Sequence, residues 1–172
     1  MKKILFAVIL LNLTYTFAQE VSFEPKNEIR LNAFNLISFK WLDISYEYVL
    51  NEESTIGISV INKLGNEWTG FDTKRTYSIT PYYRHFFSSS YAKGFFMEGF
   101  AKINGGYKKD YTNSIEGEVK YNDVAFGIGT GAKFISRRGF VGEINAGLGR
   151  NLFNADAPEI VGRAGISFGY RF

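Results

Sequence analysis

Along most of this chain apolar residues recur at every second position, with polar or small residues between them. The last segment shows it most clearly: Ile160, Gly162, Ala164, Ile166, Phe168, Tyr170 and Phe172 fall on one face, and Val161, Arg163, Gly165, Ser167, Gly169 and Arg171 on the other. A period of two marks a strand with one face in an apolar setting. Seven earlier segments repeat it. The range 27–36 sets Ile29, Leu31 and Ala33 against Glu28, Arg30 and Asn32, and the alternation blurs beyond Ala33. The range 42–50 sets Ile44, Tyr46, Tyr48 and Leu50 against Asp43, Ser45 and Glu47; 54–64 sets Ile56, Ile58 and Val60 against Gly57, Ser59 and Lys63. In 74–87, Tyr77, Ile79, Pro81 and Tyr83 oppose Ser78, Thr80, Tyr82 and Arg84; in 94–107, Phe95, Met97, Ala101 and Ile103 oppose Glu98, Lys102 and Asn104. The ranges 121–135 and 140–151 behave alike, with Phe126, Ile128 and Phe134, then Ile144 and Leu148, against a glycine-rich face. Eight strands and no helix predict an all-β fold, an eight-stranded antiparallel up-and-down barrel.

The two faces differ in kind. The polar face is rich in glycine and carries isolated charges of both signs. The apolar face gathers Tyr46, Tyr48, Tyr83, Phe86, Phe87, Tyr91, Phe95, Phe134, Phe140, Tyr170 and Phe172 at one set of strand ends. In a soluble barrel the apolar face lines the interior. Here glycine leaves room inside for a few long charged side chains, and the aromatics suit an interfacial girdle. The barrel is therefore expected to be transmembrane, with its apolar face toward lipid. The connections agree: tight at 51–53, 88–93 and 137–139, long at 65–73 and 108–120, intermediate at 154–159, and short around 38–41. Short periplasmic turns and longer external loops are the outer-membrane arrangement. Gly139 is expected in the left-handed position of a three-residue turn.

The first residues have a separate logic. Lys2 and Lys3, the apolar run at 4–11 and the small residues Thr16 and Ala18 compose a secretory signal, with cleavage expected after Ala18. Residues 19–172 then form one outer-membrane domain. Removing Lys2 and Lys3 from the 20 basic residues leaves 18 against 17 acidic ones, a net +1. No basic surplus remains to attract nucleic acid. The chain has no cysteine, which excludes disulfides, a thiol nucleophile and a lipid-modified cysteine after the signal.

The inward face places opposite charges on neighbouring strands at similar depth: Arg30 with Glu47, Arg84 with Glu98, Lys133 with Glu143, and Arg171 beside Glu28. This interior charge network is expected to plug the barrel and fix strand register, with no catalytic role. Elsewhere chemistry is scarce. His85 is the one histidine, placed near a tight turn among aromatics, where an interfacial side chain is the expectation. A zinc or transition-metal site would have to be built from carboxylates, so no metal and no cofactor are expected. Gly127, Gly129 and Gly131 are followed by no helix and suit the small inner face of a strand better than a nucleotide loop.

The terminal Phe172, with Phe168 and Tyr170 at alternate positions before it, resembles the C-terminal assembly signal read by the barrel-assembly machinery. The runs at 79–84, 94–100 and 147–153, closing on Gly169-Tyr170-Arg171-Phe172, are similar to a family of small outer-membrane barrels from Bacteroidetes-type bacteria. Those exported chains often begin at glutamine, as Gln19 would here. The architecture resembles the OmpA transmembrane domain and OmpX. The family has no assigned activity, so the resemblance implies location and fold and carries over no functional residue. It leaves a monomer surrounded by outer-membrane lipids, acting structurally or through external loops. Trp68, Phe71, Tyr107 and Tyr111 are the candidate contact residues. A narrow or gated channel is the alternative, and a lipid-modifying enzyme a more distant one.

Overall fold

A computed structural model describes residues 25–65, 75–88, 90–110 and 117–172. The expected signal at 1–18 and Trp68, Phe71 and Tyr111 lie outside the described residues. The elements are β1 (Asn27–Asn32), α1 (Ala33–Phe39), β2 (Trp41–Asn51), β3 (Ser54–Lys63), β4 (Arg75–Phe86), β5 (Gly94–Asp110), β6 (Gly117–Ile135), β7 (Phe140–Asn151) and β8 (Ile160–Arg171). Each strand pairs antiparallel with the next, and β8 returns to β1 to close the barrel. Closure runs from Glu28↔Arg171 to Asn32↔Ser167. It is finished by reciprocal backbone hydrogen bonds between Asn27 and Phe172 at 3.0 and 2.8 Å.

The faces divide as the alternation requires. Phe95, Ile128 and Leu148 point outward and are 72%, 68% and 67% exposed, whereas the inward Glu28, Glu47 and Arg84 are 0% exposed. The barrel is thus inverted relative to a water-soluble one: its apolar side chains are outside and its charges are buried. Gly139 takes φ 84° in the β6–β7 turn, donating its N–H to the Ser136 carbonyl at 3.0 Å.

Four expectations need correction. The chain is not free of helix. Asn32 leaves the strand and caps α1 by accepting the Asn35 N–H at 3.1 Å, and the left-handed Lys40 ends it. The blurring beyond Ala33 was a change of period: Asn35 turns inward while Phe34 and Ile37 stay exposed. Second, the connection expected at 108–120 is shorter, because β5 and β6 continue and pair Lys108 with Val119 and Lys109 with Glu118. Third, Phe86 is not part of the outer girdle. It shares parity with Arg84 and lies inside, 1% exposed. Fourth, Tyr91 packs against an inner cluster of Val49, Phe86, Ala92 and Phe96. The β4–β5 turn tucks inward there through positive φ at Tyr91 and Ala92.

The early end of β1 has a further effect. Pairing with β2 stops at Leu31↔Ile44 and pairing with β8 at Asn32↔Ser167. Residues 160–166 of β8 therefore have no β1 partner, and α1 packs against β2 and β8 in the place of a strand.

Candidate functional site in the barrel interior

All eight charged residues singled out from the sequence point into the lumen and meet there. Arg30 reaches Glu47 at 2.9 Å, Arg84 reaches Glu98 at 2.9 Å, and Arg171 reaches Glu28 at 3.0 Å. Lys133 and Glu143 stand farther apart, at 3.8 Å. Lys133 lies closer to Glu47 and, at 3.0 Å, to Glu28. The ions form a shared network, not separate pairs. Arg84 donates to Glu98, to Glu47 at 2.8 Å and through two nitrogens to Glu143 at 2.7 and 2.9 Å. Arg30 touches Glu28, Glu47 and Glu143. Sharing follows from the narrow lumen: eight strands leave an interior just wide enough for side chains to fill, so charges on facing strands are within reach.

Glu28, Glu47 and Glu143 bring carboxylate oxygens within 4.8 Å of one another, a spacing that could suit a hard cation. The Lys133 ammonium occupies that position, in contact with all three. The arrangement neutralises charge within the protein.

Two members were missed in the sequence. Arg163, on the inner face of β8, lies 3.1 Å from Glu98. Tyr82 accepts from Arg30 at 2.8 Å and donates to Glu47 at 3.1 Å. Its ring also carries the guanidinium groups of Arg84 and Arg163, each 4.5 Å from the centroid. Both stood on the polar face in the alternation, so their inward direction was legible. Their partners were not, because they come from strands distant in sequence.

Packing continues on either side of the ions. Toward the tight turns, Arg84 lies 4.3 Å over Phe96 and Lys133 lies 5.2 Å over Phe86. Arg171 anchors the inward turn by donating to the carbonyls of Tyr91 at 3.0 Å and Ala92 at 2.9 Å. The glycines of β6 make space for rings as well as charges. A Cβ at Gly127 would come 2.3 Å from the Phe100 ring, one at Gly131 2.5 Å from the Phe96 ring, and one at Gly129 3.0 Å from Glu98.

Toward the long loops, Asp43 accepts from Asn32 at 2.9 Å, Asn35 at 2.7 Å and Ser59 at 2.7 Å, joining α1 to β2 and β3. At the rim, Asp123 accepts the N–H groups of Phe153 and Asn154 at 3.0 and 3.1 Å. Asn151 donates to the Pro158 carbonyl at 2.7 Å. These bonds hold the 152–159 connection on the barrel mouth.

Of the remaining candidates, Tyr107 lies on β5 and is exposed. Phe168, Tyr170 and Phe172 are exposed on the outer face at the C-terminal end. His85 also faces outward, its ring edge-on to Phe87 at 5.3 Å, away from the ion network.

No protein-family model matches the chain, and no curated protein matches it. Among solved structures it is similar to the backbone structure of the Yersinia pestis outer membrane protein Ail in a phospholipid bilayer nanodisc, at 15% identity and a TM-score of 0.45, with 87% of this chain and 100% of that chain covered.

Proposed function

We propose that the protein is a small outer-membrane barrel without an open pore, which serves the envelope structurally or engages a surface partner through the loops at the α1 end. The observation carrying this reading is the inverted distribution of side chains: a predominantly apolar exterior around a closed barrel, and the eight charges singled out from the sequence at most 5% exposed within. Exposed apolar patches on soluble monomers rarely exceed a few hundred Å², so a predominantly apolar circumference needs lipid to cover it. The tight turns and both chain ends would lie on the periplasmic side and the longer connections outside. Phe168, Tyr170 and Phe172 would be read by the barrel-assembly machinery.

The interior supports a plugged barrel over a channel. The inner cluster of Val49, Phe86, Ala92 and Phe96 fills the lumen toward the tight turns, and the ion network spans it beside that cluster. In that network each carboxylate is engaged by arginine or lysine, so it favours a structural over a catalytic role. Two measurements test the reading. Cell fractionation should recover the protein in the outer membrane, with heat-modifiable migration on gels; recovery from the soluble periplasm would overturn it. Planar-bilayer recording should give no steady conductance, and regular open-channel steps would favour the channel alternative.

A further inference from the structure

Between the ion network and the long loops lies a cavity of about 450 Å³, within the ordinary size range of ligand pockets. Its polar wall is rich in donors without acceptors. The Trp41 indole Nε1, the Thr80 hydroxyl, Arg75 Nε and Arg163 Nη1 are buried with no hydrogen-bond partner among the described residues. Trp41 is 6% and Thr80 1% exposed, and all four residues line the cavity. An indole N–H and a guanidinium can only donate, and leaving such groups buried and unpaired is costly.

The charge balance points the same way. Lys102, 1% exposed, lines the cavity and lies near both Arg75 and Arg163. The carboxylate facing these three cations across the cavity is Asp43, whose oxygens already accept from Asn32, Asn35 and Ser59. Glu98 lies below and is shared with Arg84.

The cavity also reaches the outer surface. Besides the inward Asp43, Thr80 and Lys102 it is lined by Ala146, Leu148 and Ala164, whose side chains belong to the outward face of β7 and β8. This is where β8 lacks a β1 partner. Its free edge carbonyls are met by side chains from within: Asn32 donates to the Ala164 carbonyl at 3.2 Å and Lys102 to the Gly162 carbonyl at 3.0 Å. Side chains can withdraw from these carbonyls without breaking a strand ladder. Polar and apolar walls therefore share one space, joined through the gap between α1 and β8.

We propose that this cavity binds an anionic amphiphile, its phosphate or carboxylate headgroup held by Arg75, Lys102, Trp41 and Thr80, and its alkyl chain leaving sideways between α1 and β8 along Leu148 and Ala164. The inference rests on the membrane-barrel reading only for the source of the ligand. Binding is measured in micelles, so its failure is separable from a failure of fractionation.

The test uses the full mature chain refolded in a neutral detergent, with Trp68→Phe so that Trp41 is the reporting tryptophan. Dodecyl phosphate should change Trp41 emission saturably. Dodecanol should not, and inorganic phosphate should need at least tenfold higher concentration. Arg75→Gln and Lys102→Met should each weaken dodecyl phosphate at least tenfold, with heat-modifiable migration confirming that each variant is folded. Ala164→Phe, which fills the lateral gap, leaves the cations in place and adds no second indole, should weaken dodecyl phosphate and spare inorganic phosphate. An equal response to dodecanol would overturn the anionic site. Equal affinity for inorganic phosphate, or indifference to Ala164→Phe, would overturn the lateral chain path. An unchanged response in both cation variants, or no response to dodecyl phosphate at all, would overturn the proposal as a whole.

Discussion

Arg84 is one of the hubs of the lumen, because Glu47, Glu98 and Glu143 all accept from it. Stranding a buried charge costs about 3–5 kcal/mol. Glu98→Gln should therefore lower unfolding stability in detergent, since Arg163 loses its carboxylate partner, and adding Arg84→Met should lower it further, because Glu47 and Glu143 then lose a partner too. Urea titrations of the parent and both variants measure this. Parent-like stability in both would refute the structural role, and if Glu98→Gln alone also abolished a measurable activity, the network would be a functional site. The glycines give a second contrast. A Cβ at Gly131 would meet the Ile144 carbonyl at 2.4 Å and the Phe96 ring at 2.5 Å, whereas at Gly142 nothing lies within 4 Å. Gly131→Ala should cost about 1–3 kcal/mol by overpacking, and Gly142→Ala should stay within about 0.5 kcal/mol of the parent. The same titration decides, and equal effects would mean that the inner glycines are not sites of close packing.

At the scale of elements, the last strand joins two roles that a truncation cannot separate. Deleting Phe172 removes both an exposed aromatic side chain and the backbone pair with Asn27 that finishes the closure. Phe172→Ala keeps the pair. If the ring is the assembly signal, this variant should insert poorly in cells yet refold in detergent with parental stability; normal insertion would remove the signal reading. The strands themselves were legible because a period of two survives in every one of them, and parity alone placed Glu28, Arg30, Glu47, Arg84, Glu98, Lys133, Glu143 and Arg171 inside. What parity could not give was contact across the lumen: Lys133 sits nearer Glu47 than its strand neighbour Glu143, because the opposite wall is as close as the adjacent strand. Helix α1 was hidden for a different reason. Seven residues are too few to establish a helical period, and its cap depends on Asn32, which also reads well as the end of a strand. Phe86 has the aromatic type of the girdle but the parity of Arg84, and parity decides its inward direction.

For the whole molecule, the account turns on orientation in a bilayer: apolar circumference in lipid, tight turns inside, α1 and the long connections outside. The chain has no cysteine, so single cysteines can report each end without background. Ala155 lies in the connection between β7 and β8 and Arg138 in the tight turn between β6 and β7; both are exposed. Intact cells producing Ala155→Cys or Arg138→Cys would be treated with a membrane-impermeant maleimide, before and after permeabilising the outer membrane. The account predicts that Ala155→Cys is labelled in intact cells and that Arg138→Cys is labelled only after permeabilisation. Labelling of Arg138→Cys in intact cells with Ala155→Cys protected would mean the barrel is inserted the other way up, and protection of both until permeabilisation would contradict a barrel that spans the outer membrane.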